Sequence, residues 1–462
     1  MRISEEEIKN ARQAIAKFVF NTKNISGRFI VFLAIAGMII DAWDFSSISL
    51  VNFSFVNTFH PSAFILGLSA GTINIGAAIG AILGGYFTDR FGRRYMFIIN
   101  MILFVIMAAL SALATDVTEY ILFRTILGFA LGADVATGFS YLFEFLENKQ
   151  RINYISSWAI IWGIMFLTSI SVASILHIVL GSSNLMWRIV LGLGSLFSLI
   201  ILLFRTRIPE SALWLAHRGN FKSAKEIIKR IYGVELTEVP DVDLNVKTSL
   251  SGREIIKVFK MGYTNYLIHG WTQSFLVAFV FWGFGFYVPL IINNLNPGGS
   301  FLGNMAVNSY IYGMALIGGV IAPFIVRKTG LKNLVTSTTM ILALLFLLIY
   351  LESVNELPIS LFSFLAGLVM FFLFLGPMGF FSLVNPAIPS SQRGIVNGWT
   401  YLVNKVTAAF ASLFGASIFG FLGLGGESLL IMIIALVIGV ISQVVGREPT
   451  KINPVEVENK AV

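Results

Sequence analysis

Long apolar runs separated by short polar stretches make up most of the chain. A helix needs about 20 apolar residues to cross a bilayer, and twelve runs have roughly that length. Numbered here as spans 1 to 12, they are residues 29–55, 63–86, 95–114, 119–142, 154–181, 187–204, 266–292, 303–326, 333–351, 357–383, 395–422 and 428–446. Most linkers are short, so the pattern predicts six spans, one long polar connection and six further spans.

This arrangement predicts an all-α membrane protein whose twelve transmembrane helices form two pseudo-symmetric six-helix halves. The expected parts are an N-terminal segment (1–28), a first half (29–204), a linker (205–265), a second half (266–446) and a C-terminal tail (447–462). The first 24 residues are polar and mixed in charge, which is unlike a cleavable signal. Within the linker, apolar residues at helical spacing over 221–231 predict a short amphipathic helix.

The composition is that of a membrane protein. Of 462 residues, 56% are hydrophobic and 12% are charged, whereas soluble domains are about 25% charged. The absence of cysteine excludes disulfides, thiolate chemistry and cysteine-ligated metals. The four histidines are scattered and lack metal-site spacing. The sequence therefore predicts no enzymatic activity, no metal and no cofactor.

Basic residues are distributed asymmetrically along the chain. If both termini lie in the cytoplasm, the segments on that side hold all but three of the 32 Lys and Arg residues. The opposite loops hold no basic residue and five acidic ones, Asp116, Glu119, Glu352, Glu356 and Glu427. This asymmetry predicts a multi-pass protein of the cell membrane with cytoplasmic termini. The net charge of +8 then reflects topology in the lipid bilayer, so we expect no nucleic-acid partner. A monomer is expected.

Two carboxylates interrupt span 1 near its middle. Asp41 and Asp44 are three residues apart and share one helix face. A charge at mid-bilayer costs at least about 2.5–3.5 kcal/mol on insertion scales, so this face is expected to meet the bundle interior or a water-filled cavity. The pair is a candidate site for protons or solute. The alternative is a structural role, with Asp44 capping a break or pairing with a cation.

Three further ionisable residues within spans extend this candidate site. Asp134 and Arg124 lie in span 4, and Lys405 lies near the middle of span 11. Arg124 is close to the outer end of its span and can serve as an outer anchor. A buried lysine facing carboxylates can bind an anion or act as a structural ion-pair partner, and both interpretations of Lys405 remain open.

Aromatic and amide side chains on spans 5, 7 and 11 are candidates for a solute pocket. An apolar cavity with a few polar anchors suits a small organic solute. The candidates are Trp158, Trp162, Gln273, Trp282, Tyr287, Trp399 and Asn404. The alternative for each aromatic ring is packing against lipid or a neighbouring helix.

A glycine-rich basic turn joins spans 2 and 3. Residues 84–94 read Gly-Gly-Tyr-Phe-Thr-Asp-Arg-Phe-Gly-Arg-Arg and resemble the loop signature of the major facilitator superfamily, Gly-x-x-x-Asp-Arg-x-Gly-Arg-Arg/Lys. In that superfamily the turn gates the conformational change and does not touch solute. The resemblance implies a gating role for Gly85, Asp89, Arg90, Gly92, Arg93 and Arg94. Residues 327–332, after span 8, keep the basic residues and the glycine of the signature but not its Asp.

Two other stretches resemble motifs of sugar-porter-like branches. Span 4 carries Arg-x-x-x-Gly-x-x-x-Gly from residue 124, followed by a Glu and an Arg seven residues apart. Residues 208–215 resemble Pro-Glu-Ser-Pro-Arg-Trp-Leu, with leucine in place of the arginine. Residues 385–394 are the counterpart of 208–215 in the second half. The resemblance implies that the charged residues of these stretches form a gating ion-pair network. They are Glu144, Arg151, Glu210 and Arg393.

The resemblance implies a secondary active transporter that moves its solute by alternating access. Residues 41–45 and 132–134 resemble motifs of phosphate:proton symporters, and Lys405 falls where that branch carries a lysine. The Asp-x-x-Asp spacing also resembles aromatic-acid:proton symporters, whereas the paired glutamines of sugar porters in span 7 are absent. We therefore expect proton symport of a small anionic or polar organic solute, or of phosphate. A sugar or polyol transporter and a non-transporting sensor are the alternatives, and the direction of flux stays open.

Overall fold

The computed structural model describes most of the chain. The described residues are 4–22, 32–33, 36–50, 52–145, 157–181, 183, 185–244, 262–296, 298–354, 358–389, 392–453 and 456–457. Regular structure in these ranges is helical, apart from one isolated bridge between Asn220 and Asp243. The predicted gating residue Arg151 lies outside the described residues.

Helices occupy all twelve predicted spans. Those of spans 1 to 6 are Gly37–Leu50 with Asn52–Phe59, Ala63–Phe91, Arg93–Leu113, Val117–Phe145, Ser157–Leu180 and Met186–Arg205. Those of spans 7 to 10 are Thr264–Phe279 with Val288–Leu295, Phe301–Thr329, Leu331–Ser353 and Ile359–Leu375 with Phe380–Val384. Spans 11 and 12 form Arg393–Val445, which a non-helical Gly423 (φ 66°) interrupts. Ten segments of the described residues are each long and apolar enough to cross a membrane, which confirms the all-α membrane architecture.

Spans 2 and 4 pack with their backbones in close contact. Gly76 and Gly80 lie against backbone carbonyls of span 4, and Gly128 and Gly132 lie against backbone carbonyls of span 2. A Cβ atom at any of these positions would overlap its neighbour, so only glycine permits this approach. The contact fixes the rotation of span 4 and therefore the direction in which its ionisable side chains point.

A glutamate caps the equivalent helix in each half. Glu210 accepts a hydrogen bond from the backbone N–H of Arg93 at the start of span 3 (3.0 Å), and Glu448 accepts one from Leu331 at the start of span 9 (3.1 Å). The two residues of each bond are 117 positions apart in both halves. A carboxylate at a helix N-terminus satisfies free N–H groups and complements the helix dipole. This repeated bond is direct structural support for internal pseudo-symmetry.

Span 7 is broken in its second part. Its α-helix ends at Phe279 and continues as a π-helical turn, Val280–Phe284, and a 3₁₀ turn, Gly285–Tyr287, before Val288–Leu295. The Tyr312 hydroxyl of span 8 donates to the freed Gly285 carbonyl at 2.8 Å. Discontinuous helices and π-turns are typical of functional positions in transporters.

The N-terminal segment forms a helix that packs on two linker helices. Glu5–Asn21 begins with a capping box between Ser4 and Glu7, and its apolar side contacts Ala212–His217 and Phe221–Tyr232. The second linker helix confirms the amphipathic helix predicted at 221–231. This assembly lies at the end of the bundle that carries the turn 84–94. That end is called the motif face below, and the other end the opposite face.

Candidate functional site

A buried ion pair joins spans 1 and 4. Arg124 Nη1 donates to Asp44 Oδ1 at 2.6 Å, and both side chains are 2% exposed. The second Asp44 oxygen has no hydrogen-bond partner in the described part of the chain. Arg124, expected near the outer end of span 4, is therefore part of the carboxylate cluster. Breaking such a pair on one side leaves an uncompensated buried charge, which is strongly unfavourable.

Asp41 connects the two halves. It is fully buried, and the Tyr401 hydroxyl on span 11 donates to its Oδ2 at 3.2 Å. Within the described ranges, Asp41 Oδ1 has no partner and the carboxylate forms no ion pair. Thus one turn of span 1 presents two carboxylates in different surroundings. Asp44 faces a cation of its own half, and Asp41 faces a hydroxyl of the other half.

Lys405 occupies an aromatic box between the halves. Its Nζ lies 4.0 Å from the centre of the Phe45 ring, 5.0 Å from that of Tyr401 and 5.4 Å from that of Trp282. The lysine is 2% exposed. None of the described carboxylates forms a salt bridge with it, although the charges of Asp41 and Asp44 act on it. Cation–π contacts stabilise such an ammonium only in part.

Stacked rings from both halves surround this box. Trp158 and Trp162 of span 5 stack on each other with centroids 6.3 Å apart. Trp158 contacts Phe381 (5.6 Å) and Trp162 contacts Phe281 (5.3 Å), both rings of the second half. The indole N–H groups of both tryptophans are buried and have no acceptor among the described atoms. The interface thus contains free donors as well as apolar surface.

Other predicted pocket residues are bonded within the second half. Gln273 Nε2 donates to Ser442 Oγ at 2.7 Å, and Asn404 Nδ2 donates to the Ser274 carbonyl at 3.1 Å. Similarly, Tyr287 donates its hydroxyl proton to the Ser412 carbonyl at 3.0 Å. The half-buried Trp399 stacks on Trp271 at 6.3 Å, beside an apolar groove of about 440 Å³ along spans 7, 11 and 12. These side chains hold the half together rather than lining the lysine box.

Asp134 pairs with a residue that the sequence analysis did not single out. Arg205, the last residue of the span 6 helix, donates from Nη1 to Asp134 Oδ1 at 2.5 Å and from Nε to the Leu33 carbonyl at 3.0 Å. The guanidinium also lies 4.4 Å from the centre of the Phe97 ring. Gly37 of span 1 leaves room for the Asp134 carboxylate. A terminal arginine looks like a topogenic charge in the sequence, and only its complete burial distinguishes it.

The turn at the motif face forms a buried charge network. Arg93 pairs with Asp89 at 3.0 Å and with Glu144 at 2.8 Å, and all three side chains are at most 1% exposed. Asp89 Oδ2 accepts a hydrogen bond from the backbone N–H of Ile395 at 2.9 Å. Because Ile395 opens span 11, this bond joins the halves. Gly85 packs on the backbone of the same helix start, where a side chain would clash.

The remaining predicted gating residues lie around this network. Burial raises the pKa of Glu210, while hydrogen bonds from the Ser211 and Arg93 backbones oppose that shift. Gly92 has a φ of 103°, which glycine adopts without strain. The arginines bond locally: Arg90 donates to the Tyr86 hydroxyl, Arg94 to the Thr206 carbonyl and Arg393 to the Ile388 carbonyl.

The linker helices are bonded directly to the turn. Trp214 Nε1 donates to the Asp89 carbonyl at 2.9 Å, and Arg218 Nη1 donates to the Arg90 carbonyl at 2.7 Å. Arg12 of the N-terminal helix in turn donates to the His217 carbonyl at 2.8 Å. A continuous set of bonds therefore runs from the N-terminal helix through the linker to the contact between the halves.

The two halves are also in contact toward the opposite face. Phe166 of span 5 stacks on Tyr312 of span 8 with centroids 4.2 Å apart, and His177 stacks on Phe301 at 4.1 Å. Together with the Asp89 contact at the motif face, these pairs enclose the lysine box from both ends. Interfaces of this kind change between discrete arrangements when the groups they hold change charge.

Nearly the whole chain matches one protein family. The family is described as "Sugar (and other) transporter", and the match covers residues 15–458. The chain is a member of this family. The family and the helical fold point to a membrane transporter of the major facilitator type.

Relatives with named functions align at moderate identity. The arabinose-proton symporter of Bacillus subtilis is 26% identical over 382 residues, which are 80% of this chain and 79% of that protein. The niacin transporter NiaP of Acinetobacter baylyi is 23% identical over 266 residues, 56% of this chain and 57% of its own length. The chain spans 53% of the length of YaaU, a putative metabolite transport protein of Escherichia coli, and 65% of the length of the inner membrane metabolite transport protein YgcS of the same organism.

Solved structures share the fold. The proton:xylose symporter XylE bound to 6-bromo-6-deoxy-D-glucose has a TM-score of 0.77 at 21% identity, over 94% of this chain and 98% of that one. A partially occluded inward-open form of XylE from E. coli has a TM-score of 0.67 at 19% identity, over 89% and 96% of the two chains. The predicted major facilitator fold is confirmed. The comparisons do not single out the phosphate or aromatic-acid branches.

Proposed function

We propose that this transporter is a proton-coupled symporter that carries a small organic anion across the cell membrane. The observation that carries the proposal is the buried Lys405 ammonium between the halves, which has aromatic neighbours and no salt-bridge partner among the described carboxylates. A desolvated charge that lacks a hydrogen-bonded counterion is costly. A bound anion supplies that counterion, so affinity for the solute and closure of the halves are linked.

The surroundings of Lys405 favour an organic carboxylate over an inorganic ion. The rings of Phe45 and Trp282 offer flat apolar surface around the ammonium, and Trp162 stacks on Phe45. The free indole N–H groups of span 5 can bond a second polar group. An apolar cavity with few polar anchors suits an organic solute, whereas phosphate needs many donors. One relative is named for niacin, an aromatic carboxylate.

The coupling ion in this proposal is the proton. Asp44 and Asp41 are buried carboxylates one turn apart, and protonation of Asp44 removes the charge that holds Arg124 at 2.6 Å. Protonation can drive transport only if the proton's affinity differs between the two states. If Arg124 leaves Asp44 for another partner in the second state, the proton affinity of Asp44 differs between the two states, because the positive charge beside it is gone. Asp134 with Arg205 is a further candidate in the same half.

The orientation follows from charge. We place the motif face and both termini in the cytoplasm, because basic residues accumulate there. Asp89 then closes the cytoplasmic side in this conformation through its bond to Ile395, whereas Arg93 and Glu144 pair within the first half.

A sugar or polyol is the second candidate solute. It is favoured by the family match and by the relative named as an arabinose-proton symporter. Sugars are bound through several hydrogen bonds to hydroxyl groups. The amides of Gln273 and Asn404 are already bonded within the second half, which favours the anion.

Uptake into proteoliposomes distinguishes the candidates. Labelled aromatic and aliphatic monocarboxylates, phosphate, arabinose and xylose are supplied under an inward proton gradient, with and without a protonophore. We expect accumulation of a carboxylate that collapses with the protonophore and is lost in Lys405→Met but partly kept in Lys405→Arg. Sugar accumulation that is unaffected by Lys405→Met would reject the anion proposal and favour the sugar candidate.

A further inference from the structure

Glu427 is buried where the sequence indicates an external loop. It lies on the span 12 side of Gly423 and is 3% exposed, so its placement in an external loop is wrong. Because the residues before Glu427 are rich in glycine, the hydrophobic pattern places the start of span 12 at residue 428, directly after Glu427. Its Oε2 atom is enclosed and has no hydrogen-bond partner among the residues that the structure describes.

The carboxylate of Glu427 lies beside the break in span 7. A Cβ atom placed on Gly283 would be 3.9 Å from Glu427 Oε1 and 4.0 Å from the Ala411 methyl group of span 11. Gly283 is part of the π-turn Val280–Phe284. The carboxylate therefore meets apolar groups and an irregular backbone, and a charge in such surroundings without a partner is unfavourable.

No described cation compensates Glu427. The titratable side chains nearest to it along the packed elements are Tyr287, four residues after Gly283 on span 7, Tyr350 and Glu352 near the end of span 9, and Lys405, six residues before Ala411 on span 11. Tyr287 already donates to the Ser412 carbonyl, and none of the ion pairs among the described residues includes Glu427. Its surroundings therefore suit a neutral carboxylic acid.

A route for water approaches Glu427 from the opposite face. An open cavity of about 690 Å³ is lined by Asn294 of span 7, Tyr350 of span 9 and the chain from Leu422 to Gly426. Gly426 directly precedes Glu427. In the proposed orientation this cavity opens to the outside. Asn294 belongs to the helix Val288–Leu295, which directly follows the span 7 turns.

We propose that Glu427 is a second proton-binding site, located in the half that lacks Asp41, Asp44 and Asp134. When Glu427 is protonated, the span 7 turns can pack against it as they do in this structure. When Glu427 is ionised, it requires water, which favours a displaced position of those turns in which the carboxylate meets the cavity. Proton concentration outside thereby sets the exposure of this part of span 7. The inference extends the proposed proton coupling, but it is testable without any solute.

Accessibility of a single cysteine tests the site. The chain has no cysteine, so Ile292→Cys, which is buried in the helix Val288–Leu295 that also carries the cavity-lining Asn294, is a unique reporter for a membrane-impermeant maleimide. Labelling rates are measured from about pH 5 to about pH 9 and divided by those of a free model thiol. We expect the corrected rate to rise at least about fivefold with pH in the parent. In Glu427→Gln it should stay at the low-pH value throughout.

Two further variants make the result specific. Glu352→Gln removes another carboxylate near the same face and should keep the pH dependence of the parent. Glu427→Asp keeps a titrating group, so its labelling should still change with pH even if Glu427→Gln folds poorly. A pH dependence in Glu427→Gln equal to that of the parent, or its loss in Glu427→Asp, would overturn the proposal. Failure of solute uptake in span 1 variants is a separate readout and bears only on the proposed function.

Discussion

Asp89→Asn should shift the equilibrium between conformations without altering the solute site. Asp89 accepts the Ile395 N–H bond that joins the halves and pairs with Arg93 inside the first half. Asparagine keeps an acceptor of the same shape and loses the charge. The bond to Ile395 crosses between the halves, whereas the pair of Arg93 with Glu144 at 2.8 Å lies within the first half.

The size of this shift follows from the type of bond that is weakened. A hydrogen bond to a charged group contributes about 1.5–3 kcal/mol, and a neutral one contributes about 0.5–1.5 kcal/mol. Replacing the first by the second therefore removes about 1–1.5 kcal/mol from the closed state. That difference corresponds to about a tenfold change in the ratio of closed to open molecules.

Distances between labels on the two halves measure the ratio. Tyr95→Cys on span 3 and Lys328→Cys on span 8 are exposed near the motif face, and spin labels there report closed and open populations. Glu144→Gln is the matched control, because Glu144 bonds Arg93 within the first half. Transport in Asp89→Asn should slow while solute affinity stays within a few-fold. An unchanged distance distribution, or an equal shift in Glu144→Gln, would refute the reasoning.

Three other results are expected. At least one of the variants Asp41→Asn and Asp44→Asn should abolish proton-driven accumulation while counterflow persists, because asparagine keeps the shape of the side chain but cannot ionise. Accumulation equal to wild type in both variants would contradict this. Arg12→Ala removes the hydrogen bonds of Arg12 to the first linker helix, which contribute about 1–2 kcal/mol at this half-buried site. Limited proteolysis should therefore find the N-terminal helix released about tenfold more often. Tags after residue 462 and within 205–265 should be accessible only from the cytoplasm, and a tag within 296–299 only from outside.

The sequence predicted the features that the bilayer imposes directly. Span lengths follow from the thickness of the hydrocarbon core, and the turn 84–94 has a pattern of glycines and charges specific enough to locate the contact between the halves. Asp41, Asp44 and Lys405 could be identified because an ionisable residue in an apolar run has a high cost. The structure brings these three into one region, where Tyr401 contacts both Asp41 and Lys405.

Pairings between helices could not be predicted from local patterns. Asp44 and Arg124 are 80 positions apart, and Asp134 and Arg205 are 71. Their contacts depend on the rotation of spans 1, 4 and 6, which glycine packing and not hydropathy determines. For the same reason, the amides of Gln273 and Asn404 could not be assigned to the core of the second half before its helices were oriented.

Solute-driven proton movement in proteoliposomes tests the central claim most directly. A pH electrode records the external medium when a monocarboxylate that supports uptake is added at constant membrane potential. We predict alkalinisation with wild type, which is absent in Asp44→Asn and Lys405→Met because one lacks the proton site and the other the anion site. Alkalinisation of wild-type size in both variants, or solute entry without any proton movement, would contradict the account.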